Sequence, residues 1–77
     1  MNRRAFNRGL RQKLGRRICR RREELGLTQR GLAEWAELAS QRQIWGLEQG
    51  LSGMTVETAR RIAKALDWSL SQLFEGL

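Results

Sequence analysis

The apolar residues of this chain fall into five groups at helical spacing, each set off from the next by a turn or a capping signal. Leu14, Ile18 and Leu25 share one face of a helix predicted from Arg11 to Leu25, which Gly26 stops. Leu32, Ala33 and Ala36 form the second group, opened by Thr28, whose hydroxyl can accept a bond from an orphan backbone N–H of the first turn. Ile44 and Leu47 belong to a third helix over Gln41–Gln49. The run Ser40-Gln41-Arg42-Gln43 gives it the spacing of a capping box, and Gly50 ends it. Val56, Ala59, Ile62, Ala63 and Leu66 supply the inner face of a fourth helix, capped by Thr55. A fifth starts at Ser69, with a second capping-box partner at Gln72, and carries Leu70, Leu73 and Phe74 toward the last residues. The expected fold class is all-α, with five helices in one domain over residues 11–77.

The polar positions matter most in the third helix. Gln41, Arg42, Trp45 and Gly46 point away from the Ile44 and Leu47 side. Glutamine can bond adenine through an acceptor and a donor together, and arginine can fork onto guanine, so a short helix with this outer face fits a DNA major groove. Gly46 removes a side chain where backbone can approach DNA closely. Trp45 either touches a thymine methyl or a sugar, or folds back on Trp35, which is expected at the edge of the core. Gln43 divides its duty between the cap of its own helix and a phosphate.

Charge adds a second line of argument. The chain has a formal net charge of +7 and a pI near 11.5, which implies a polyanionic partner, because neutralising phosphates releases condensed counterions. Ten of the 15 basic residues lie within positions 1 to 22, where there is no acid. Residues 1–10, with Arg3, Arg4 and Arg8 among Asn and Gly, read as a flexible basic arm, either a solvated tail or a segment that orders on phosphates or in a minor groove. In the first helix Arg16, Arg17, Arg20 and Arg21 are expected to ride mostly outside.

The residues Leu27-Thr28-Gln29, Leu32-Ala33-Glu34, Ser40, Ile44, Leu47-Glu48 and Gly50 together resemble the helix-turn-helix of the Xre and phage lambda repressor (Cro/CI) family, from about Leu14 to Phe74. The resemblance implies a five-helix lambda-repressor-like DNA-binding domain with the helix 41–49 in the major groove. It also implies that Gln29, aided by the dipole of its helix, meets a phosphate. Thr28, Arg30, Gln43, Ser52 and Thr55 are further candidates for phosphate contact. Arg22 stands where the family carries an arginine paired with the glutamate that is Glu48 here, so a partly buried structural ion pair is expected. The family commonly dimerises through its last helix and the end of the one before, which points to Leu70, Leu73, Phe74 and Leu77; the alternative is that Leu70, Leu73 and Phe74 close the core of a monomer. Two departures stand out. Ser40 lies eight residues after Leu32 where seven is usual, with Leu38-Ala39 in the turn, and the loop Leu51-Ser52-Gly53-Met54 lacks the basic residues related repressors often place there.

Composition removes other classes. With no histidine and one cysteine, Cys19, there is no expected metal site, cofactor or His-based triad, and Cys19 reads as a small packing residue. No stretch approaches the ~18 apolar residues of a membrane span, and a cytoplasmic protein is expected. The functions to weigh are a dimeric regulator on double-stranded DNA with no small-molecule ligand, and an antitoxin or adaptor that chiefly binds a protein. An enzyme has little support, because no nucleophile, base and orienting group share a motif.

Overall fold

In the computed structural model, which describes residues 3–77 and side chains from Asn7 onward, the chain forms α1 (Arg3–Glu24), α2 (Gln29–Trp35), α3 (Gln41–Glu48), α4 (Val56–Ala65) and α5 (Leu70–Leu73). The five expected helices are present, with no strand among the described residues. The core joins Ile18 of α1, Leu32 and Ala33 of α2, Ile44 and Leu47 of α3, Ala59, Ile62 and Ala63 of α4, and Leu66 and Leu73. α2 packs on α3 and α4, while α1 crosses α3 and reaches α5.

The capping residues explain where three of the helices start. Thr28 Oγ1 accepts from the Gly31 N–H at 2.9 Å and Thr55 Oγ1 from the Thr58 N–H at 3.1 Å. Ser69 and Gln72 close a full capping box, the serine hydroxyl accepting from Gln72 N–H and the Gln72 side chain from Ser69 N–H. The same box does not form at Ser40. Its side chain makes no cap bond, and the Gln43 N–H donates instead to the Ser40 carbonyl at 3.2 Å, so backbone satisfies the donor that the hydroxyl was expected to take.

Four helices end alike. After α1, α2, α3 and α4 one residue turns left-handed, and its own N–H and that of the residue after it donate back to the last turn as in a Schellman motif. Gly26 and Gly50 take the left-handed position after α1 and α3, whereas Glu37 (φ 56°) and Asp67 (φ 57°) take it after α2 and α4. In the turn before α3, Leu38 N–H reaches the Ala33 carbonyl at 2.9 Å and the Leu38 side chain packs on the core. The longer spacing from Leu32 to Ser40 is thus absorbed by a hydrogen-bonded reversal.

Several expectations need correction. α1 begins at Arg3, so residues 3–10 are its first turns; Met1 and Asn2 lie outside the described residues, as do the side chains of Arg3 and Arg4. Arg, Ala and Leu favour a helix, there is no proline to break it, and Gln12 packs on Gly50, whose added Cβ would lie 2.7 Å from Gln12 Cγ. Leu25 is 40% exposed: the helix has ended at Glu24, and the reversal at Gly26 brings Leu27 onto the core in its place. Val56, at the solvent side of the first turn of α4, is 76% exposed and no part of the inner face. Trp35 is 71% exposed, because the core side of α2 is already filled by Leu32, Ala33 and Ala36. α5 stops at Leu73 with Phe74 as its cap.

Arg17 and Arg21 are the largest surprise. Instead of riding outside, they flank Trp68, with guanidinium carbons 4.4 and 5.3 Å from the ring centre. Arg17 donates to the Gln72 and Leu73 carbonyls and Arg21 to the Leu66 carbonyl, so the two arginines satisfy the C-terminal ends of α5 and α4. Three of the basic residues of α1, counting Arg22 below, are thereby structural.

Candidate nucleic-acid interface

The site is built where α1 crosses α3. Arg11, Gly15, Ile18 and Arg22 are spaced as one face of α1, and each meets α3 or the loop after it. Gly15 touches backbone: a Cβ there would lie 2.4 Å from the Leu47 carbonyl oxygen and 2.5 Å from that of Glu48. Ile18 is fully buried. Arg22 forks onto Glu48, with Nε at 2.7 Å from Oε2 and Nη2 at 3.1 Å from Oε1, and its Nη1 donates to the Leu27 carbonyl at 2.8 Å. Side-chain exposures of 14% for Arg22 and 3% for Glu48 make this a buried ion pair, as expected. The bonds to Glu48 hold the guanidinium pKa above its ordinary value, despite the opposing cost of burial.

Gln29 is drawn into the same network. Its Nε2 donates to Glu48 Oε1 at 3.0 Å, which fixes the amide and leaves its second N–H for another acceptor. Nothing in the sequence marked this bond, although the helical position of Gln29 opposite Glu48 is set once α2 and α3 are packed. Cys19 sits beside the network, 3.5 Å from Arg22 Nη2 and 3.4 Å from Glu23 Oε1. Burial first, then the charge of Glu48, push its thiol pKa up, which suits a packing residue rather than a reactive thiolate.

With its inner side held, α3 presents Gln41, Arg42, Gln43 and Trp45 outward, all exposed, Trp45 by 47%. Arg42, Trp45 and Gln49 lie at i, i+3 and i+7, so the outer stripe runs the whole helix and includes Gln49, which helical spacing alone did not single out. Gly46 does not belong to it. It is buried and faces the loop after α3, where a Cβ would come 2.8 Å from Ser52 Oγ, so its lack of a side chain serves packing and not an approach to DNA.

Of the other named residues, Thr28 and Thr55 are exposed but engaged as caps, and Ser52 is exposed in its loop. Arg30 is exposed, with Glu34 3.5 Å away in a surface pair that tethers it weakly. Arg8 is exposed on α1. Leu73 is fully buried in the core and cannot be a contact surface. Leu70 and Phe74 line an open apolar groove with Leu14, Met54 and Val56, while Leu77 lies apart, beside Lys13, Arg20 and Trp68. The groove therefore adjoins the start of α4 and not its end.

A search of curated proteins finds none that matches the chain. A family model described as a helix-turn-helix domain matches residues 13–73, the stretch that contains α2, the reversal at Glu37, α3 and, in α1, Gly15, Ile18 and Arg22. The chain belongs to the helix-turn-helix domain family, and DNA is the partner that membership implies.

Proposed function

We propose that the protein is a sequence-specific transcriptional regulator of the Xre and phage repressor type, acting in the cytoplasm as a homodimer on a palindromic operator. The observation that carries this reading is the exposed stripe of Gln41, Arg42 and Trp45 on a helix whose opposite side is locked by Arg22 and Glu48. Rigid presentation of side chains that can fork onto base edges is what direct readout needs. Gln29, with its amide held by Glu48 and one N–H to spare, donates to a phosphate, and the exposed Thr28, Arg30, Gln43 and Ser52 are further candidates for phosphate contact.

Dimerisation uses the groove at Leu70, Phe74 and Val56. Two copies with a net charge of +7 repel over most of their surfaces, but the groove's lining holds no Lys or Arg. Apolar area is exposed where the repulsion is least.

Selection of bound duplexes from a random library tests the reading. A two-fold symmetric motif is expected, with half-sites one helical turn, ~34 Å, apart. Phe74→Glu is expected to convert a dimer in sedimentation to a monomer and weaken binding to the full site by at least about tenfold, as loss of linked half-sites requires. Absence of any enriched motif would refute the regulator; a wild-type protein that is monomeric on a full site would refute the dimer.

A further inference from the structure

We infer that the N-terminal half of α1 is a rigid phosphate clamp, in which Arg8 and Arg11 grip the DNA backbone beside the C-terminal end of α3. The inference rests on α3 being the reading helix. It assigns to a helix the cationic anchoring role that the loop after α3, with no basic residue between Leu51 and Met54, lacks.

Three observations converge. First, α1 continues past its crossing with α3 at Gly15 for twelve further residues to Arg3, ~18 Å at 1.5 Å per residue, and the molecule is 37 Å long against 23 and 21 Å across. Second, the face of α1 that carries Arg11 is the face that meets α3, so the guanidinium is delivered to the loop: a Cβ added at Gly53 would lie 3.3 Å from Arg11 Nε and Nη2. Arg8, one turn earlier, lines the same hollow with Arg11, Gln12, Gln49 and Gly50. Third, Gln49 is the last residue of the outer stripe of α3, so the hollow opens at the end of the proposed reading surface.

The charges are unspent. Among the described residues neither Arg8 nor Arg11 has a carboxylate at ion-pair distance, unlike Arg17, Arg21 and Arg22, whose guanidinium groups are committed within the fold. Two arginines held by one helix also lose less freedom on meeting phosphates than two on a flexible arm. Such contacts position the protein and carry no base information.

The test compares wild type with the Arg8→Gln/Arg11→Gln double variant by fluorescence anisotropy on a duplex chosen by library selection, over a fourfold range of salt. Each lost phosphate contact lowers the slope of log K against log salt by ~0.9, so the double variant is expected to be shallower by about 1.8 and to lose about twelvefold less affinity across that range. The Arg8→Lys/Arg11→Lys variant, which keeps both charges, is expected to restore the slope. The selected motif should be the same for all three proteins. Arg60→Gln/Lys64→Gln, on the exposed side of α4, is the control for net charge.

An unchanged slope in the Arg8→Gln/Arg11→Gln protein overturns the clamp, as does an equal change in the control. A changed motif overturns it too, because it would make these residues readers of bases. If selection yields no motif, the regulator reading fails separately, and the slope on nonspecific duplex still decides the clamp.

Discussion

Arg22→Ala is expected to destabilise the domain by ~3–5 kcal/mol, the usual cost of leaving one member of a buried ion pair alone. Glu48 would remain 3% exposed in the present packing, with only the Gln29 amide left of the three hydrogen bonds it accepts from Arg22 and Gln29. Since whole domains are stable by about 5–15 kcal/mol, the loss takes a large share of what a 77-residue chain possesses. The raised Arg22 pKa sets the alkaline limit: the stability linked to the Arg22 charge is fully present below the ordinary arginine value and is lost as pH rises through the raised one. Urea melts of Arg22→Ala, Glu48→Leu and Arg22→Met/Glu48→Leu check the account. Both single changes should fall well below wild type, while the double change should recover most of the loss, because two apolar side chains in place of a buried pair are close to neutral. A single-variant loss under about 1 kcal/mol would mean that water already screens the pair.

Gly15→Ala is expected to destabilise the domain as well, for an unrelated reason. An alanine Cβ would sit 2.4 to 2.8 Å from the backbone of Leu47 and Glu48, so α1 and α3 must separate. Overpacking of this kind costs ~1–3 kcal/mol or more, against a gain in helix propensity of ~1 kcal/mol. Gly9→Ala supplies the comparison, since a Cβ at that position of the same helix has nothing within 4 Å. Thermal melts should show Gly15→Ala lowered and Gly9→Ala raised or level. Gly15→Ala should also weaken DNA binding, because it tilts the proposed reading helix. Equal behaviour of the two variants would contradict the close crossing.

The contrast between these two glycines shows where the sequence was legible and where it was not. Helical spacing and short-range caps at Thr28, Thr55 and Ser69 depend on neighbours three or four residues away, and those predictions match the structure. The arginine-glutamate pair was legible through the resemblance. Gly15 and Gly9 look alike in the chain, and only the crossing of two helices separates them. Arg17 and Arg21 looked like solvated charges because their partners, the ends of α4 and α5 and the ring of Trp68, lie more than forty residues away. Ser40 failed as a cap because the Gln43 N–H found the backbone carbonyl of the same residue, a choice that residue types do not reveal. In the candidate site, Gln41, Arg42 and Trp45 were placed outward correctly by their offset from Ile44 and Leu47. Gly46 was misplaced because the loop after α3 folds back over it.

The central claim is that the outer stripe of α3 reads bases. Repeating the duplex selection with Gln41→Ala and with Arg42→Ala tests it most directly. Both side chains are exposed, so the variants should remain folded. Each is predicted to relax preference at a particular position within the half-site, symmetrically in both halves, with a loss of ~1–3 kcal/mol of discrimination there and the remaining positions intact. Motifs indistinguishable from that of the wild type for both variants would contradict the claim.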